Sequence, residues 1–166
     1  MAAVAEVISA LVVSVSVVIA VMAYLNETDK QRRQFTMELA LQYFAGDLQD
    51  AKDQLFYKIQ EVQTRAAPAV LGASDLRVFI AKSSDPSQRE EQDLSSALLA
   101  VSSFFNSAQR CVDAGLCDEA LMRRLIGEDA TSIQCIFSGY LDQMAALSNV
   151  KGLSSGLRFF QEGQCA

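Results

Sequence analysis

The chain has 166 residues, a hydrophobic content of 51% and a formal net charge of −6. This acidic balance argues against a nucleic-acid-binding domain, which presents a basic face to phosphates. The sequence contains no histidine, and this excludes Ser-His-Asp and Cys-His nucleophiles as well as histidine-ligated zinc or haem.

The most apolar part of the chain is residues 1–25, where the only charged side chain is Glu6. At about 1.5 Å per residue this stretch forms a helix of roughly 36 Å, longer than a hydrocarbon core of about 30 Å. A signal peptide is the alternative, but no Lys or Arg precedes the apolar run, and the run is too long. A buried helix of a soluble core would carry polar residues on one side. The sequence therefore predicts a transmembrane helix over residues 1–25.

The cations that follow this stretch predict its orientation. Lys30, Arg32 and Arg33 lie just beyond the span, whereas its N-terminal side has no Lys or Arg. The positive-inside rule then places the N-terminus outside and the rest of the chain in the cytoplasm. In that reducing compartment we expect the four cysteines to be free thiols.

Small side chains follow one side of the predicted membrane helix at alternating spacings of four and three. Such a stripe lets another helix approach closely, although small residues are also simply common in membrane helices. We expect it to contact integral membrane protein subunits or a second copy of the chain. The residues of the stripe are Ala5, Ser9, Val12, Ser16, Ile19 and Ala23.

Residues 26–166 are predicted to form one helical domain. Helical spacing predicts a helix over residues 37–62 that stops and restarts at Gly46-Asp47. An irregular loop, with at most a short turn at residues 76–80, is expected over about 66–85. The inward seam of the first helix is Met37, Leu41, Phe44, Leu48, Ala51, Leu55, Ile59 and Val62.

Asp85-Pro86 predicts the start of the next helix, with proline at its first position, and Gly115 its end. No segment shows the alternation of a strand. The fold class is therefore all-α, a small antiparallel cytoplasmic bundle attached to one transmembrane helix. The last three helices are predicted over residues 118–126, ending at Gly127, over 128–148 and over 153–161.

Three groups of short motifs carry a resemblance to a known family. They are Arg33-Gln34-Phe35-Thr36-Met37-Glu38, then Phe104-Phe105-Asn106, and Gly115-Leu116-Cys117-Asp118-Glu119-Ala120-Leu121 with Phe159-Phe160 downstream. With the N-terminal stretch they resemble bacterial single-pass helical proteins described only as a domain of unknown function. The resemblance covers most of the chain outside residues 66–93. It implies the fold and a bacterial inner-membrane location but no activity, and an acidic residue commonly stands in that family where this chain has Asn106.

No arrangement of residues predicts a catalytic site, a cofactor or a metal centre. Cys111 and Cys117 lie six residues apart across a turn and could form a disulfide, but free cysteines more often serve as small buried apolar residues. Three aspartates at spacings of three, Asp47, Asp50 and Asp53, are typical of a solvated helical face.

Arg123 and Arg124 form the one other arginine pair besides Arg32-Arg33. We expect them to cap the negative end of a short helix. As an exposed pair they are also a candidate surface contact for carboxylates or lipid phosphates.

These features predict a non-catalytic, membrane-anchored accessory subunit packed against a larger integral membrane complex of an energy-converting or transport kind. A homo-oligomeric membrane scaffold is the first alternative. A thiol-based redox sensor or enzyme using Cys111 and Cys117 is the second. Expected partners are integral membrane protein subunits, the lipid bilayer and further copies of the chain, with no nucleic acid and no cofactor.

Overall fold

The fold is helical throughout the part of the chain that the structure, a computed structural model, describes, namely residues 21–22, 27–66, 71–88 and 92–165. No strand occurs in these ranges, which confirms the all-α prediction for them. The helices after residue 26 are α1 (27–43), α2 (Asp47–Ala66), α3 (Ala73–Ser83), α4 (Gln92–Asp113), α5 (Glu119–Ser148) and α6 (Ser155–Phe160).

The prediction of a transmembrane helix over residues 1–25 is not supported, and of that stretch the structure describes only residues 21–22. Within the described ranges, no helix has both the length and the apolar character that a bilayer crossing requires. Helix α1 is both short, spanning residues 27–43, and charged, since Lys30, Arg32 and Arg33 lie within it. The predicted single-pass topology and inner-membrane location are corrected accordingly. The stripe residues Ala5, Ser9, Val12, Ser16, Ile19 and Ala23 lie outside the described residues.

The amphipathic helix α4 supplies much of the core. Its buried side chains recur at spacings of three and four, including Leu98, Val101 and Phe105. Helix α2 packs against α4, α3 packs against α5, and α6 contacts both α4 and α5. This arrangement leaves α2 and α5 on either side of an open groove.

Helix α1 buries a different face from the one its hydropathy predicts. Met37, Leu41 and Phe44 are 43%, 60% and 46% exposed, so their assignment to the core is wrong. The buried side chains of α1 are Thr36, Ala40 and Tyr43, each one residue earlier. Thr36 and Tyr43 fix this rotation because the first is hydrogen-bonded to Asp118 and the second stacks on Phe104.

The predicted stop and restart between the first two helices is confirmed. Gly46 has a φ of +60°, a conformation that glycine adopts without steric cost, and α2 begins at the next residue. From Ala51 onward, α2 follows the predicted seam, with Ala51, Leu55 and Val62 buried.

The prediction of an irregular loop over residues 66–85 is wrong. Leu76 and Ile80, one turn apart in α3, are buried, and the Gln143 side-chain amide of α5 donates to the Ala81 carbonyl at 2.8 Å. Asp85 does not begin a helix. Its carboxylate accepts hydrogen bonds from the Ser87 backbone N–H and hydroxyl at 2.9 and 2.7 Å, which forms a turn before α4.

The helix break predicted at Gly127 is also wrong, because α5 continues to Ser148. Gly127 is helical and buried, and its carbonyl accepts a hydrogen bond from the Thr131 hydroxyl at 2.8 Å. A Cβ at this position would lie 3.3 Å from the Phe160 carbonyl oxygen. Glycine here allows the end of α6 to approach α5.

Helix α6 lies directly on the backbone of α4. A Cβ on Gly156 would fall 2.2 Å from the Phe105 carbonyl carbon, so no other residue fits without displacing a helix. The next residue, Asn106, accepts hydrogen bonds from the Gly156 N–H at 2.7 Å and the Ser155 hydroxyl at 2.9 Å. Its amide also donates to the Leu153 carbonyl. Asn106 thereby fixes where α6 begins.

All four cysteines are paired, Cys111 with Cys117 and Cys135 with Cys165, so the prediction of free thiols is wrong. At the end of α4 the chain curls so that the Cys117 N–H donates to the Cys111 carbonyl at 3.2 Å. This turn brings the two Cα atoms to 5.3 Å. Disulfides persist in oxidising compartments, which also runs against the predicted reducing cytoplasm.

Gly156→Ala is expected to destabilise the bundle, because the added methyl group meets the α4 backbone rather than a flexible side chain. We expect the free energy of unfolding to fall by about 3 kcal/mol, the upper part of the range for overpacking, measured by chemical denaturation. The matched control is Gly72→Ala, where the nearest atom would be 3.9 Å away. Equal stability of the two variants would contradict the α4–α6 contact.

Candidate functional site

The groove between α2 and α5 is the candidate functional site. It encloses about 170 Å³ and is apolar apart from three polar side chains. Its lining residues, which define the groove, are Lys52, Leu55, Phe56, Ile59, Asp129, Ser132, Ile133, Ile136 and Phe137.

Lys52 bridges the groove near one end. Its ammonium lies 3.1 Å from the Asp129 carboxylate of α5. The same group lies 4.2 Å from the centre of the Tyr43 ring and 4.7 Å from that of Phe44. Only 20% of the Lys52 side chain is exposed, and a partly desolvated cation over an aromatic face contributes about 0.5–2 kcal/mol. One charge therefore connects α1, α2 and α5.

Tyr43 lies behind this ion pair and is fully buried. Burial raises the pKa of Tyr43 well above its ordinary value, and the negative charge of Asp129 raises that pKa further. The phenol therefore stays protonated in any physiological buffer.

The rim of the groove is apolar. The Phe56 side chain of α2 is 56% exposed, and across from it Ile133 and Ile136 of α5 are half-buried. Below them Leu55 and Phe137 close the base. A partner side chain entering the groove would therefore meet hydrocarbon on most sides and the Lys52–Asp129 pair at one end.

A second polar cluster joins α1 to the loop between α4 and α5 and keeps Tyr43 in place. The Thr36 hydroxyl accepts a hydrogen bond from the Asp118 N–H and donates to the Arg32 carbonyl, both at 2.8 Å. The Arg32 guanidinium donates to the Cys117 carbonyl at 3.3 Å. Arg32, which was predicted to set membrane topology, therefore binds this loop. Lys30, predicted to have the same role, is exposed.

Asp118 of this cluster also begins α5. Its carboxylate accepts a hydrogen bond from the Leu121 N–H at 2.9 Å, and the Arg33 guanidinium lies 3.5 Å away. The Leu121 hydrogen bond lowers the pKa of Asp118 below its ordinary value, and Arg33 lowers it further. The first and third resemblance motifs thus meet in space.

A family model described as "Domain of unknown function (DUF4760)" matches residues 10–151. The chain belongs to this family. The match includes α1 to α5 and therefore both walls of the groove. Comparisons with curated proteins and with solved structures find no match. The predicted membership of a family of unknown function is confirmed, and the family brings no activity.

Arg123 and Arg124, which are adjacent in the sequence of this DUF4760 chain, have different surroundings in the structure. Arg123 is ion-paired with Glu119 at 2.9 Å, and its guanidinium carbon lies 4.8 Å from the centre of the Phe159 ring. Arg124 is exposed. Neither caps a helix end, because α5 continues past them. Their predicted role as a surface contact stays a prediction.

The groove was missed at the level of sequence. The one signal was Lys52, a charge placed between apolar positions of α2, and nothing local shows that Asp129 faces it.

The described ranges contain no group of three or more Cys, Asp or Glu able to hold a metal ion. The acidic residues Asp47, Asp50 and Asp53 are all exposed on α2.

Thr36→Val tests the cluster that positions α1. The substitution keeps the shape but leaves the Asp118 N–H without its acceptor, which costs about 1–3 kcal/mol when the donor is buried. Thr64→Val is the matched control, because that exposed hydroxyl bonds only to the carbonyl one turn earlier. Chemical denaturation should show a clear loss for the first variant and little for the second. Equal changes would contradict the proposed role of Thr36.

Proposed function

We propose that this DUF4760 protein is a non-catalytic interaction protein that binds a partner protein through the groove between α2 and α5. The observation that carries the proposal is an open apolar groove with an exposed phenylalanine on its rim and one neutralised ion pair inside. Aromatic side chains with a desolvated surround are typical centres of protein interfaces.

The size of the groove favours a protein side chain over a small molecule. Small-molecule pockets typically enclose about 300–1,000 Å³, and the groove has about 170 Å³. A leucine or phenylalanine side chain from a partner helix suits such a volume. Phe56 would then cover the inserted side chain from the rim.

The electrostatics of the groove favour an uncharged insert. Lys52 and Asp129 neutralise each other at 3.1 Å, and a second charge placed beside them would lose hydration without gaining an opposite charge. Ser132, which also lines the groove, supplies a hydroxyl for a backbone group of the partner. The proposed partner thus inserts an apolar side chain into the groove and presents a polar backbone or side-chain group that can hydrogen-bond to the Ser132 hydroxyl.

A different protein is favoured over a second copy of the chain. The formal net charge of −6 opposes self-association through mutual repulsion. The homo-oligomeric scaffold remains the alternative, and it predicts a defined assembly of identical chains. The enzyme alternative based on Cys111 and Cys117 loses support because these cysteines form a buried pair that holds the loop of the α1 cluster.

The test compares wild-type protein with Phe56→Ser after gentle purification from its own cells. A stoichiometric second protein should accompany the wild type, and the variant should bind it at least about 30-fold more weakly, as expected for a central interface residue worth about 2 kcal/mol. Phe56→Leu should restore most of the affinity. Leu99→Ser is the matched control, since Leu99 is exposed on α4 away from the groove.

Light scattering of the purified protein separates the outcomes. A complex of two different chains that loses its partner only in Phe56→Ser supports the proposal. A ring of identical chains supports the scaffold instead. A wild-type monomer with no partner, or equal loss in Phe56→Ser and Leu99→Ser, would contradict the groove as the binding site.

A further inference from the structure

The segment that follows α6, residues 161–165, lies along one face of α5. We call this segment the strap. The contacts of α6 and the strap recur at every fourth residue of α5, so they fall on one helical face. In order along α5 they are made by Arg123, Gly127, Thr131 and Cys135.

Two of these contacts hold the strap itself. The Glu162 N–H donates a hydrogen bond to the Thr131 hydroxyl at 2.8 Å. Farther along, Cys165 is bonded to Cys135. The absence of a side chain at Gly127 leaves space for Glu162, whose carboxylate would lie 3.2 Å from an added Cβ.

The two disulfides of the chain differ in their access to solvent. Cys111 and Cys117 are 8% and 0% exposed, and the loop that carries them is bound to α1 through the Cys117 carbonyl. In the other pair, Cys135 is buried but Cys165 is exposed. The rate of thiol–disulfide exchange depends on access to a sulfur atom, so an incoming thiolate reaches the second pair first.

We propose that the Cys135–Cys165 disulfide is an exchange site for an external protein dithiol, and that exchange releases the strap from α5. The inference is independent of the groove, because it uses the face of α5 that carries residues 123, 127, 131 and 135. The Cys111–Cys117 bond remains as a structural disulfide.

The exchange is balanced by the two thiols of the reductant. A thiolate of the external dithiol attacks the Cys165 sulfur, the bond to Cys135 breaks, and the Cys135 sulfur leaves as a thiolate that takes up a proton. The second thiol of the reductant then attacks its own mixed disulfide and releases Cys165. Two electrons and two protons pass to the strap pair, and the external dithiol becomes a disulfide.

Neighbouring groups suit Cys165 to this exchange. The Gln161 side-chain amide donates to the Cys165 sulfur at 3.6 Å, and a hydrogen bond of this kind stabilises a thiolate. After reduction, the Thr131–Glu162 hydrogen bond is the one hydrogen bond left between the strap and α5 among the described residues. It does not offset the conformational entropy of an ordered segment, so the strap detaches and uncovers the Cys135 thiol.

The experiment treats the folded protein with dithiothreitol and, separately, with reduced thioredoxin. The free thiols are then alkylated and the modified cysteines are counted by peptide mass spectrometry. We expect Cys135 and Cys165 to be modified at least tenfold faster than Cys111 and Cys117. Hydrogen exchange at residues 161–165 should rise at the same time, with no change in the helical circular-dichroism signal. Reduction by dithiothreitol but not by thioredoxin would overturn the protein dithiol as reactant.

Thr131 variants distinguish the strap from a merely accessible disulfide. Thr131→Val removes the acceptor for Glu162 and should raise the reduction rate of Cys135–Cys165 several-fold, whereas Thr131→Ser keeps the hydroxyl and should react like the wild type. Equal rates for the two disulfides, or unchanged protection of residues 161–165 after reduction, would overturn the proposal. So would identical rates for Thr131→Val and Thr131→Ser.

Discussion

The Lys52 ammonium is held by a carboxylate and two aromatic rings, and the groove depends on that arrangement. Taking an amino group out of water is costly unless an opposite charge compensates it. Asp129 supplies that charge from α5, while Tyr43, the last residue of α1, and Phe44, which follows it, supply ring faces. Since α2 packs chiefly on α4 and α5 on α3 and α6, this bridge sets how the two walls of the groove face each other.

The motifs that mark the family act as contacts between helices. Thr36 and Arg32 of the first motif bind the loop that contains Cys117 and Asp118. In the second motif, the Phe105 backbone receives Gly156, and the Asn106 side chain fixes the start of α6. An aspartate in place of Asn106 could still accept the Gly156 hydrogen bond, although it could not donate to the Leu153 carbonyl.

Much of the helical architecture could be predicted because its signals are local. The turn at Gly46 and the buried face of α4 follow from glycine conformation and from apolar spacing. The buried face of α1 could not, since hydropathy does not place the polar Thr36 in a core; only its contact with Asp118, 82 residues away, explains its burial. The same limit applies to Gly127, which reads as a helix stop until α6 is seen beside it.

The candidate site lay beyond sequence reasoning for the same reason. Lys52 is an ordinary surface lysine until Asp129 is placed opposite it, and Cys135 is an ordinary buried cysteine until the strap returns to it. The predicted membrane helix rested on length and hydropathy alone, and the helices that the structure describes do not support it. The groove and the strap were missed because pairing between distant residues leaves no local pattern.

A double-mutant cycle of Lys52→Met and Asp129→Asn tests the central claim most directly. Both substitutions keep the side-chain shape. The Lys52 substitution is made once with Asp129 present and once in the Asp129→Asn variant, so the loss of its contacts with the Tyr43 and Phe44 rings cancels in the difference. Denaturation of the four proteins should give a coupling free energy of about 1–2 kcal/mol, as expected for contacting and partly buried partners. Additive effects, with coupling below about 0.3 kcal/mol, would show that the ion pair does not hold the groove together.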